Sequence, residues 1–159
     1  MRIALFAIGR LGRAPEAALA KDYAQRAAAA GRSLGFTGVE MVEIEARKAG
    51  KAAEAEALLA QLGPGDHLIA CDEHGAVRTS RDFASRLAEL RDRGARRIVF
   101  AVGGADGLGE ACLERADERL AFGPQTWPHA LARAMLAEQV YRRSRFWAAA
   151  PIIATRPLL

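Results

Sequence analysis

The chain predicts an α/β fold, a mostly parallel sheet flanked by helices. Three observations lead there. Five short apolar runs alternate with Ala-rich stretches of helical character. The run Ile98-Val99-Phe100-Ala101-Val102 is continuously apolar, as a strand buried on both faces must be. Glycine or proline marks most junctions, at Gly9, Gly63-Pro64-Gly65, Gly103-Gly104 and Gly123-Pro124.

The elements follow in order. Ile3 to Ile8 is the first strand; it is too short for a leader and is followed at once by Gly9-Arg10. Pro15 suits a helix start, and Glu16 to about Ala30 continues it. Val39 to Ile44 alternates as a second strand, with Val39, Met41 and Glu43 in one phase. Ala46 to Leu62 reads as a helix. His67 to Cys71 is the third strand, and Asp72-Glu73-His74-Gly75 reads as a polar turn. Thr79 or Ser80 caps the next helix, which ends near Gly94. The fourth strand, a Gly loop, a short helix at Glu110 to Arg115, a fifth strand at Leu120 to Phe122 and a last helix to about Arg145 complete the pattern.

At 159 residues, 51% hydrophobic and 26% charged, residues 1–159 are expected to form one domain with a sizeable core. The formal charge of +4 mildly favours an anionic partner. Cys71 and Cys112 lie far apart without CxxC spacing, which argues against a disulfide framework or a metal site and fits a reducing cytoplasm. No apolar run reaches the roughly 18 residues of a membrane span.

Chemistry concentrates between Ile98 and His129. Gly103-Gly104-Ala105-Asp106-Gly107-Leu108-Gly109 follows a strand, where backbone approaches a ligand closely. It is neither G-x-G-x-x-G nor a P-loop, and no G-x-S-x-G occurs. A tight strand-to-helix turn accounts for it equally well. Pro128 opens the last helix and leaves amides free for an anion; His129 is placed to donate to phosphate or to move a proton. Leu131, Ala134, Met135, Glu138 and Tyr141 share a helix face, readable as a dimer surface or as packing on the sheet. Arg10 and Arg13 in the first loop are either phosphate contacts or a solvated basic turn.

In the same order the chain carries Ala7-Ile8-Gly9-Arg10-Leu11, Asp72-Glu73-His74-Gly75 and Phe100-Ala101-Val102-Gly103-Gly104-Ala105-Asp106-Gly107-Leu108. Leu120-Ala121-Phe122, Thr126-Trp127-Pro128-His129, and Arg133 with Glu138-Gln139-Val140-Tyr141-Arg142 follow. Over residues 1 to about 142 this set resembles the ribosomal RNA large subunit methyltransferase H family of SPOUT-class enzymes. The resemblance implies S-adenosylmethionine-dependent methylation of N3 of a pseudouridine in helix 69 of 23S rRNA, in the ribosome. It also implies a cytoplasmic homodimer with a carboxyl-terminal trefoil knot. By position it implies donor binding at Cys71, Gly103, Phe122, Gly123, Pro124, Gln125, Thr126 and Trp127. Catalytic candidates are His129 and Arg133; Arg10, Arg13, Arg142 and Arg143 are the expected RNA contacts.

Residues 143–159 depart from the family, which ends in an apolar helix segment and a Tyr-His-Arg tail; here no histidine follows His129. One inserted base near Arg143 would restore the pattern. With suitable codons, the shifted frame from Arg142 to Trp147 reads Arg-Ala-Val-Thr-Ile-Leu, and Pro151 to Ala154 yields Tyr-His-Arg. If the tail is as written, a non-catalytic ribosome-binding or assembly protein on the same scaffold is the alternative function.

Overall fold

In a computed structural model, residues 1–154 are described, with side chains as far as Trp147. The alternation becomes β1 (Arg2–Ile8), α1 (Pro15–Gly31), β2 (Gly38–Ile44), α2 (Lys51–Leu59), β3 (Asp66–Val77), α3 (Ser80–Asp92), β4 (Arg97–Val102), α4 (Glu110–Arg115), β5 (Glu118–Ala121) and α5 (His129–Ala154). The five strands form one sheet in the order β2-β1-β4-β3-β5. Every neighbouring pair is parallel.

Continuous apolar strands bury both faces because successive side chains point to opposite sides. On β1, Ile3, Leu5 and Ala7 enter one core with Phe100, Leu87 and Leu136, beneath α1, α3 and α5. Ala4, Phe6 and Ile8 enter the other with Leu68, Leu58 and Cys112, beneath α2 and α4. Local chemistry sets the helix ends. The Thr79 hydroxyl accepts the Asp82 amide at 3.0 Å, capping α3 as expected.

Three expectations change. The last helix, expected to end near Arg145, continues to Ala154. The helix expected over Ala46 to Leu62 is shorter, because Gly50 at φ +105° keeps the preceding backbone non-helical. Asp72-Glu73-His74-Gly75 is no terminal turn. β3 runs through it, and its pairing with β5 shifts register between Cys71 and Ala76. Gly75 permits this, since a Cβ there would sit 2.6 Å from the Leu120 nitrogen.

Among the described residues, no helix is long and apolar enough to cross a membrane, and no cluster of three metal-ligating side chains occurs. The departing tail, 143–159, lies partly outside the described residues.

Candidate active site

Register brings the ends of β4 and β5 against β3 at the point where its pairing shifts. Cys71 on β3 pairs with Val102 on β4 and with Leu120 on β5. The loops that follow β4 and β5 therefore flank Cys71, the last residue of β3 before its register shift, at the carboxyl edge, where open α/β sheets hold ligands. Cys71, Gly103 and the start of the Phe122–Trp127 run converge there.

The loop after β4 is closed by its own chain. Gly107, at φ +79°, donates its amide to the Gly104 carbonyl at 3.1 Å. A Cβ on Gly103 would lie 2.4 Å from the Gly107 carbonyl carbon, so the close approach expected of a ligand is made by Gly107. The loop after β5 is pinned by side chains. Thr126 Oγ1 donates to Glu73 at 3.0 Å, and Trp127 Nε1 donates to the Phe122 carbonyl at 3.2 Å. Its main chain stays open. The amides of Gly123, Gln125, Thr126 and Trp127 donate to no backbone carbonyl among the described residues.

Beside this loop a cleft of about 440 Å³ is walled by Tyr23, Phe83, Leu120, Phe122 and Met135, with Glu138 at its polar side. Burial pushes the Cys71 thiol up to about 12, with Cys112 adding to the effect, so Cys71 is neutral and not a nucleophile.

His129 is the first residue of α5 and is half-buried. Arg133, one turn later, is 2% exposed. Its Nη2 donates to the carbonyls of Ile8 at 2.5 Å and Gly9 at 2.9 Å, and Nη1 reaches Glu43 at 3.1 Å. Burial lowers its pKa and Glu43 opposes that. The guanidinium ties α5 to the end of β1 through Nη1 and Nη2, while its buried Nε has no hydrogen-bond partner among the described residues. Glu43 also accepts the Leu11 amide at 2.8 Å. Sequence reasoning missed Glu43 and Glu73. Glu43 left one signal, an acid in phase with Val39 and Met41; Glu73 left another, its place in the Asp72-Glu73-His74-Gly75 stretch of the family resemblance.

The sequence model of a family described as predicted SPOUT methyltransferase matches residues 1–151. The chain is 62% identical over 151 residues to a ribosomal RNA large subunit methyltransferase H of Phenylobacterium zucineum, covering 95% of this chain and 97% of the relative. It is 56% identical, with the same coverage, to the protein of that name in Caulobacter vibrioides. The chain belongs to the ribosomal RNA large subunit methyltransferase H family of SPOUT methyltransferases. A solved structure of a probable methyltransferase from Bordetella pertussis covers 90% of this chain and 95% of its own, at TM-score 0.48 and 16% identity.

On this methyltransferase the four expected RNA contacts divide. Arg10 is exposed and pairs with Glu45 at 3.2 Å. Arg13 is exposed in the same loop. Arg142 is exposed and bonds Glu138 through Nε at 2.8 Å. Arg143 is 1% exposed, stacked 4.1 Å over Phe36, and so is removed from the set: phosphate has no access to its guanidinium.

Proposed function

We propose that this chain transfers a methyl group from S-adenosylmethionine to N3 of a pseudouridine in helix 69 of large-subunit ribosomal RNA. The observation that carries the reading is the open main chain of Gly123 to Trp127 beside the ends of β4 and β5 and the register shift of β3, in a chain of this family. The residues suit the donor: free amides meet the edge of an adenine or a carboxylate, and apolar walls accept its ring. When bound, the cofactor supplies an electrophilic methyl group on a sulfonium.

The protein's part is mostly placement. Cys71 contributes backbone, since its thiol is inert. Thr126 and Trp127 hold the donor loop in shape. His129 starts α5 directly after that loop and is the group to take the imide proton. Arg133 holds α5 and the Gly9 loop in fixed relation, so Arg10, Arg13 and Arg142 meet RNA phosphate from a rigid frame. The reading includes the knotted carboxyl-terminal region and the cytoplasmic homodimer. The exposed apolar side chains Leu19, Val77 and Leu131, on the outer walls of the same cleft, support a dimer that closes over it.

Tritiated S-adenosylmethionine, incubated with the chain and with ribosomes lacking the modification, tests the reading. Label at that pseudouridine is the expected result. Calorimetric binding of the donor without incorporation would refute the chemistry. It would favour the second reading, a non-catalytic ribosome-binding or assembly protein, for which the observation is the departure of residues 143–159 from the family's tail.

A further inference from the structure

The opposite edge of the sheet carries charge that the proposed chemistry leaves unused. Arg2 opens β1 and pairs in register with Arg97 on β4. The Arg2 amide donates to the Arg96 carbonyl at 3.0 Å. Arg2 and Arg96 stand on a basin of about 550 Å³ shared with Met1, Thr37, Arg91 and Ala95. Arg93 caps α3 next to it.

Arginines near helix carboxyl ends commonly satisfy orphan carbonyls, which would explain the cluster without any ligand. Arg91 does this, donating to the Leu34 carbonyl at 2.8 Å while pairing with Asp92 at 2.8 Å. Arg97 likewise engages Asp66, and Glu40 at 3.2 Å. Those two arginines use the three acids nearby. Arg2, Arg93 and Arg96 are exposed, and none makes a side-chain hydrogen bond or ion pair among the described residues. Asp66 is the acid within electrostatic reach of Arg2, and it is already paired with Arg97. Like charges in excess of the acids beside them favour a polyanion, and the guanidinium fork fits phosphate oxygens in pairs.

We infer that Arg2, Arg93 and Arg96 form a second RNA contact, gripping the phosphate backbone of a segment other than the one that is methylated. The inference rests on the proposed function, which brings ribosomal RNA to the carboxyl edge. A seven-residue β1 separates the two edges by roughly 20 Å. The substrate therefore spans the sheet as folded RNA, and a short isolated hairpin fills one edge only.

The test compares the intact chain with a triple variant, Arg2→Gln, Arg93→Gln and Arg96→Gln, across a salt series. Binding is measured to protein-free large-subunit RNA and to whole large subunits. The variant is expected to bind both at least about tenfold more weakly, with a log–log salt slope shallower by about two to three. Melting temperature and S-adenosylmethionine binding should not move, and Arg→Lys replacements at the three positions should restore most of the slope. Unchanged affinity and slope would overturn the inference. So would a loss on whole subunits with none on protein-free RNA, which assigns the face to an acidic ribosomal protein. Methyl incorporation by the intact chain is read in the same samples. Its absence counts against the proposed function, whereas a lost slope in the variant upholds the RNA face.

Discussion

Replacing Arg143 with alanine should stabilise this protein. The side chain is 1% exposed, and its Nε and Nη2 have no hydrogen-bond partner among the described residues. Nη1 donates to the Val140 carbonyl of its own helix. Residues 148–159 contain no acidic side chain to neutralise it. Burial lowers its pKa to about 10, which corresponds to roughly 3 kcal/mol against the charged form. Stacking over Phe36 at 4.1 Å and Trp147 at 5.8 Å returns about 1–2 kcal/mol. Truncation also forfeits some packing of the aliphatic stem. The net gain is about 1 kcal/mol for Arg143→Ala, worth a rise in Tm of roughly 2–4 °C in a domain of this size. Arg143→Leu, which refills the space, should gain more. The sign with pH is definite. The folded pKa is depressed, so the penalty is fully present below about pH 10 and is relieved only as pH rises through it. The gain should thus be constant across neutral pH. Scanning calorimetry of both variants decides it; lower melting for both would show that the guanidinium is favourably held and refute the reasoning. The burial of positions 143, 144 and 147 also suits the Ala, Val and Leu of the shifted reading frame. The nucleotide sequence of the gene settles that reading: codons that cannot give Tyr-His-Arg in the shifted frame exclude it.

Glu118 accepts from His67 at 2.8 Å, from Arg86 at 2.8 Å and from Arg78 at 3.3 Å, and the His67 and Arg86 bonds hold its carboxyl at about 2. A depressed carboxylate stabilises above its unfolded pKa and loses that contribution as pH falls. Glu118→Gln should therefore lower stability by about 2–3 kcal/mol at neutral pH and make no difference near pH 2, in urea titrations at the two pH values. Arg133→Gln should leave the Ile8 and Gly9 carbonyls unpaired, costing about 3 kcal/mol and roughly 6–12 °C in Tm; an unchanged Tm would contradict the clamp. Gly103→Ala forces a Cβ against the Gly107 backbone, costing about 1–3 kcal/mol. Its S-adenosylmethionine affinity should fall at least about tenfold in calorimetry, and full retention would show that the loop geometry does not set the donor site.

Much of this architecture was legible in the chain because its signals are local. A double-buried strand announces itself by an unbroken apolar run, as Ile98 to Val102 does. Thr79 caps α3 with its own hydroxyl, and α4 spans Glu110–Arg115 as its short helical stretch suggests. The resemblance named Cys71, Gly103 and the Phe122–Trp127 run, and register sets Cys71 beside Val102 and Leu120, close to the start of both loops. Other facts existed only once the chain had folded. Strand order is a matter of which backbones pair, and every apolar run is equally able to pair. The polar run Asp72 to Gly75 looked like a turn because composition does not register main-chain pairing, and Gly75 let β5 approach it. Arg133, Arg142 and Arg143 are alike as letters on one helix. Packing of α5 against α1 and the sheet turned the first onto β1, left the second in solvent and buried the third, because helix rotation is set by the whole apolar surface and not by any single charge.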